Sequence, residues 1–297
     1  MSRRHLAMLL LLAAIWGSSF MFIKVAVREL SPADVAFFRV ALGALALVPA
    51  LAFVGVARVR ADLRRYARHL VVLGVANAAV PFWLLSWSET RLDSGLAAVL
   101  QASTPLFAAL LALLFSRDDR VVGGRLVGVC VGFVGVALLV GVQPQGDVLA
   151  AIAVLATAVC YAGSALYAGR RLNGVSAIVT SFGSLAVATL VSLPLGAAQL
   201  PDHVPGWKVI GSVVALGVGG LSVAYLLYFE LIAGAGASSA VLVTYLVPAL
   251  ALGYGAAFLG EAITATAVGG LVLILGGVAL GSGTIRIPRR APVGETP

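Results

Sequence analysis

Two side-chain amides, Asn77 and Gln101, lie deep inside long apolar runs. An amide there needs hydrogen-bond partners that hydrocarbon does not supply. It pairs with another helix or faces a cavity that holds a polar solute. Trp16, Ser19, Trp83, Tyr161, Tyr225, Thr244 and Tyr245 recur at similar depth and would complete a cavity wall. The hydroxyls have a competing option, a bond back to their own helix. Arg39, with Asp34 five positions before it, reads as a gate residue, a carboxylate anchor or half of a structural ion pair. All of this is recognition of a small solute rather than bond-making chemistry. His5, His69 and His203 sit near termini or loops, so no serine at depth has a base beside it. No Cys/His spacing suggests a metal. No catalytic residue, metal or cofactor is expected. Gly217 to Gly220 and Gly234 to Gly236 lack the Gly-Lys-Ser/Thr of a phosphate loop.

The elements that carry these residues must be membrane helices. The chain has 297 residues, 61% apolar and 11% charged, against about a quarter charged in a soluble domain. Between Leu126 and Arg170 the only charged residue is Asp147; between Val209 and Arg286 there are Glu230 and Glu261. A bilayer accommodates such runs because each crossing takes roughly 20 apolar residues. Ten helices are predicted, near 6–28, 33–57, 69–88, 92–115, 121–141, 148–169, 174–197, 208–232, 237–259 and 263–284. Arg3 and Arg4 before the first run read as the start of an uncleaved helix. Cys130 and Cys160 fall within apolar runs and read as packing residues.

Basic residues fix an orientation. With the N-terminus in the cytoplasm, fifteen Lys and Arg fall inside and four outside, namely Lys24, Arg28, Arg91 and Lys208. The net charge of +8 thus reads as a topology signal and not as a nucleic-acid surface.

The halves resemble each other. A shift near 145 lays Trp16 on Tyr161, Ser19 on Ser164 and Pro49 on Pro194. A shift of 143 lays Pro105 on Pro248, Phe115 on Phe258 and Asp118 on Glu261, and a shift of 142 lays Gly128 on Gly270. Five helices per half is an odd number, so the second half enters the membrane from the opposite face. The expected fold is an all-α integral membrane protein of ten helices in two inverted five-helix repeats, 1–143 and 144–285, with a cytoplasmic tail at 286–297. Pro105 and Pro248 fall mid-helix at matching positions and read as hinges. Gly124, Gly128 and Gly132, with Gly277 and Gly281, have the spacing of close helix contacts.

Ile15-Trp16-Gly17-Ser18-Ser19-Phe20 with downstream Phe37-Phe38-Arg39 resembles the opening of EamA-type carriers of the drug/metabolite transporter superfamily. Tyr245-Leu246-Val247-Pro248 followed by Phe258-Leu259-Gly260-Glu261 is closer still. The first copy departs from the pattern at Ser116-Arg117-Asp118. The resemblance covers nearly the whole chain as two repeats. It implies ten helices, both termini cytoplasmic, and export or exchange of small metabolites through a central cavity, with alternating access.

All twelve carboxylates fall at or beyond the predicted helix ends, which argues against the simplest buried-acid site for proton antiport. A largely uncharged, aromatic-lined cavity suits neutral, zwitterionic or aromatic solutes such as amino acids. Nucleotide-sugar exchange is the alternative within the superfamily; a scaffold or an intramembrane enzyme is a distant one. The expected partners are a small-molecule substrate and the bilayer, in a bacterial cytoplasmic membrane. A monomer and a homodimer both fit.

Overall fold

The computed structural model describes residues 1–115, 124–141 and 145–281. Asp118 and the basic tail from Arg286 lie outside them. Among the described residues, eight helices are long and apolar enough to cross a membrane, and two shorter apolar ones accompany them. In chain order they are α1 Arg3–Ala26, α2 Pro32–Leu51, α3 Ala67–Glu89, α4 Ser94–Ala112, α5 Gly124–Gly141, α6 Gln145–Arg171, α7 Ala177–Ala198, α8 Trp207–Ala235, α9 Ser239–Leu259 and α10 Ala265–Gly281. Among the described residues there is no strand.

The boundaries follow local chemistry. At the start of α2, Pro32 follows Ser31. The Ser31 hydroxyl accepts from Asp34 N–H (3.1 Å), and the Asp34 carboxylate accepts from Ser31 N–H (3.3 Å) and Oγ–H (2.7 Å). Where one helix was expected to reach residue 57, α2 ends at Leu51. A separate helix, Val56–Arg65, begins after Gly55 at φ 89°, a left-handed value that suits glycine. Four arginines in ten residues keep that helix out of hydrocarbon, with Val59 as its buried residue.

Within a bilayer, apolar area does not drive helices together; close packing of small residues does. A Cβ on Gly128 would lie 2.5 Å from Gly281 N and 2.7 Å from Gly277 O. One on Gly277 would lie 2.5 Å from Gly132 N. The expected glycine seam is thus the α5–α10 interface. Gly43 and Gly217 join α2 to α8 in the same way, Gly17 joins α1 to α9, and Gly74 joins α3 to α7. Helix α7 packs along α2.

Three helices contain π turns where the sequence analysis expected only proline bends. Helix α3 contains a π turn at Gly74–Ala79, α8 one at Ala215–Val223, and α9 ends in one at Gly255–Leu259. Helix α4 breaks between Gln101 and Thr104. Pro105 therefore stands in the first turn of the second segment, while Pro248 sits inside a continuous stretch of α9.

Charged side chains tie the helix ends. On the face opposite the N-terminus, here called distal, Lys24 Nζ donates to Glu89 O (2.8 Å) and Leu92 O (2.7 Å) at the end of α3. Glu29 accepts from Gly206 N–H (2.7 Å) before α8. Glu261 accepts from Ser94 N–H and Oγ–H (2.9 Å each) and Gly95 N–H (3.1 Å). The free N–H groups of α4 are thus capped by a carboxylate from beyond α9. The left-handed Gly260 (φ 73°) turns the chain for this, and a Cβ on Gly255 would collide with Glu261 Oε2. On the proximal face, Arg4 pairs with Glu230 at 2.9 Å, and His69 Nδ1 lies 2.6 Å from Tyr167 OH.

Candidate functional site

Arg39 occupies the centre of the site. It lies within α2 and is 6% exposed, in a cluster built from α2, α3, α6, α7 and α8. Helix α8 crosses so closely that a Cβ on Gly217 would lie 2.9 Å from Arg39 O. Ser222 then donates to Gly43 O (2.8 Å), which fixes the rotation of α8 and turns Tyr225, one turn later, toward α2.

The guanidinium carbon of Arg39 stands 4.1 Å above the centre of the Phe82 ring. Tyr161, Tyr225 and Glu89 are its electrostatic neighbours. Tyr161 meets Phe82 edge-on at 6.5 Å between ring centres, and Tyr225 packs beside Phe229 at 6.2 Å. The stacking holds the cation in an apolar setting. Two of its nitrogens, Nε and Nη1, are buried without a hydrogen-bond partner. Leaving such a donor unmade costs about 1–3 kcal/mol, so each of these N–H groups is a donor that an anionic group such as a carboxylate would satisfy.

The expected Asp34–Arg39 ion pair is absent. Asp34 Oδ2 is held by Ser31 at the helix cap, and Arg39 turns to Phe82. A local cap costs little chain entropy, so it outcompetes a partner five residues away whose side chain leaves on another face. Trp83, expected on the cavity wall, is 39% exposed and lines a surface groove of about 130 Å³ with Val191 and Leu195. Phe82 takes the inward place. The π turn before it inserts one extra residue, and each residue rotates a helix by about 100°.

The remaining candidates divide by helix pair. Trp16 Nε1–H donates to Gly220 O (3.1 Å), a carbonyl in the π turn of α8, and its ring packs on Tyr228 at 5.5 Å. Ser19 donates back to Ile15 O at 3.0 Å, and Thr244 to Val241 O at 2.7 Å; Thr244 is exposed. Their hydroxyls are satisfied within their own helices. Gln101 Nε2–H donates to Thr104 Oγ1 (3.0 Å) across the break in α4, and its Oε1 is buried unpartnered. Tyr245, on α9 packed against α4, also has a buried, unpartnered hydroxyl. Asn77 stands half-buried in the π turn of α3. The structure thus gathers Arg39, Tyr161 and Tyr225 around Phe82, and sets Gln101 and Tyr245 on a second helix pair. Phe82, one of twelve phenylalanines, carried no polar signal in the sequence. Glu89 did, but only its place at a helix end was legible.

The sequence profile of the EamA-like transporter family matches twice, over residues 4–141 and 148–283. A probable amino-acid metabolite efflux pump of Salmonella typhimurium is 27% identical, aligned over 99% of each chain. A probable terminal-alkyne amino-acid exporter of Streptantibioticus cattleyicolor is 26% identical over 92% of this chain and 91% of its own. An uncharacterized transporter of Archaeoglobus fulgidus is 26% identical, over 91% and 95%. A crystal structure matches with a TM-score of 0.67 at 19% identity, over 96% of this chain and 99% of that one, a likeness of fold. With a family profile spanning both halves and apolar helices long enough to cross a bilayer, the chain belongs to the EamA-like transporter family and is an integral membrane protein.

Proposed function

We propose that the protein exports small zwitterionic or amphipathic metabolites, neutral α-amino acids foremost, with Arg39 as the anchor for the solute carboxylate. The carrying observation is a buried guanidinium with two unpartnered nitrogens, faced by Phe82, Tyr161 and Tyr225. An unpartnered N–H of this guanidinium donates a charge-assisted bond to a carboxylate, and the rings accept an apolar side chain beside it. The names of the relatives from Salmonella and Streptantibioticus point the same way.

Transport by alternating access rests on two inverted five-helix repeats, with the N-terminal face cytoplasmic and the distal face outside a bacterial inner membrane. Support for the repeat comes from the double profile match and from the π turns of α3 and α8. The shift of 143 lays Gly74 on Gly217 and Ala79 on Ser222, inside the two turns. Corresponding helices of the halves also pair in space, α2 with α7 and α5 with α10. Counterflow into reconstituted vesicles tests the reading, with L-threonine, L-leucine and L-phenylalanine against a phosphorylated sugar. Uptake of at least one amino acid is expected. Preference for the sugar phosphate would overturn it.

A further inference from the structure

Glu89 closes α3 at the distal face. It is wholly buried, and neither carboxylate oxygen has a hydrogen-bond partner. Asp34 is as deeply buried, but its Oδ2 is held by Ser31. Glu89 differs: its segment of α3 packs against α6 and α2, and also against α1 and α4.

The charged groups around it come from these elements and from the loop beyond α9. Lys24 reaches in from α1, but its ammonium is bound to the carbonyls of Glu89 and Leu92 rather than to the carboxylate. Arg39 faces it from α2, and Glu261 from beyond α9. Asp93 and Asp147 flank the same end beside Glu261 and Lys24. Arg91 turns away, 4.9 Å over the Trp87 ring.

On α3 itself, Phe82, Ser86 and Glu89 are spaced four and three apart and share one face. Ser86 is 1% exposed, and its hydroxyl is also unpartnered. Seven residues rise about 10 Å, so a line of unsatisfied polar atoms leads from the Arg39 site toward the distal face. Both oxygens are sealed from solvent, and a proton is the ligand that such a carboxylate takes up without displacing its neighbours. Gaining or losing a charge in such a place changes its cost by several kcal/mol, enough to bias a conformational equilibrium.

We propose that Glu89 is a proton-binding site that couples solute export at Arg39 to the proton gradient. The inference rests on the export reading above. The carboxylate takes a proton from the outer medium as the solute leaves, forming a carboxylic acid. It returns that proton past Ser86 to the central cavity when the cavity opens inward, so one proton enters per solute expelled.

The test uses the full-length protein in vesicles, with the same three amino acids as probes. At equal pH, wild type and Glu89→Gln are both expected to show counterflow. A gradient of one pH unit, at one proton per solute, sustains about tenfold accumulation. Wild type is expected to reach it and to change the pH reported by a lumenal dye, while Glu89→Gln equilibrates without accumulation. Wild-type counterflow that ignores the gradient, or accumulation by Glu89→Gln, overturns the proposal and leaves the export reading standing. Absence of counterflow with all three probes sinks both. A second measurement needs neither solute nor transport. Acid-minus-alkaline infrared difference spectra are expected to contain a carboxylic C=O band that Glu89→Gln removes, and its absence from wild type overturns the proposal. Should Glu89→Gln fail to fold, the wild-type proton flux and Glu89→Asp, expected to retain coupling, decide it.

Discussion

Removing the Glu261 carboxylate should loosen the distal face. Three bonds from Ser94 and Gly95 converge on this one group, at 2.9, 2.9 and 3.1 Å. A hydrogen bond to a charged group contributes about 1.5–3 kcal/mol net, and a helix cap about 0.5–2 kcal/mol. The three bonds share one acceptor and do not add independently. Glu261→Ala is therefore expected to cost about 3 kcal/mol, on the order of a hundredfold in the equilibrium holding α9 to α4. Glu261→Gln keeps one acceptor and should lose about half of this. The assay is labelling by a membrane-impermeant maleimide at Ala97→Cys, a position with no exposed surface one turn into α4, after Cys130 and Cys160 are replaced by alanine. Glu261→Ala should raise the labelling rate by tenfold or more and lower the melting temperature. An unchanged rate together with an unchanged melting temperature refutes the reasoning.

Other consequences follow from single contacts. Gly277→Ala drives a Cβ against the backbone of Gly128 and Gly132 and should destabilise by about 1–3 kcal/mol, while Gly276→Ala, which meets nothing within 4 Å, should be near neutral in the same melting assay. Trp16→Phe removes the indole bond to Gly220 O and should cost about 1 kcal/mol by the same measure. Asp93, outside the helices, has its pKa raised by burial and then by the like charge of Glu261. A raised carboxylate favours folding below its unfolded pKa of about 3.9 and loses that advantage as pH rises through the folded value. Asp93→Asn should therefore raise the melting temperature at neutral pH and leave it little changed in acid.

Much of the architecture is legible in apolar run lengths, because a hydrocarbon slab leaves the chain few options. The π turns were not: Gly74 in one lies against Val187 of α7 and Gly217 in another against Leu42 of α2, distant contacts that local propensity does not display. That one unread turn exchanged Trp83 for Phe82 at the site. Arg39 stood out because a cation inside an apolar run is costly anywhere. Its partner was misassigned because Ser31 satisfies Asp34 locally. Glu89 was placed at a helix end, as it is, but burial there is set by Lys24 and by the Glu261 cap, which come from 65 and more residues away. Ser19 and Thr244 each donate back to their own helix, the competing option that the sequence left open for hydroxyls.

The central claim is that a buried guanidinium with two unpartnered nitrogens receives a solute carboxylate. Counterflow measured for wild type, Arg39→Lys and Arg39→Gln, with L-leucine and L-leucinamide as competitors, tests it most directly. Leucine should compete and leucinamide should not in wild type. Lysine lacks the planar fork, so Arg39→Lys should lose about tenfold in uptake at low solute, and Arg39→Gln more. Equal competition by the amide, or normal uptake by Arg39→Gln, would contradict the account.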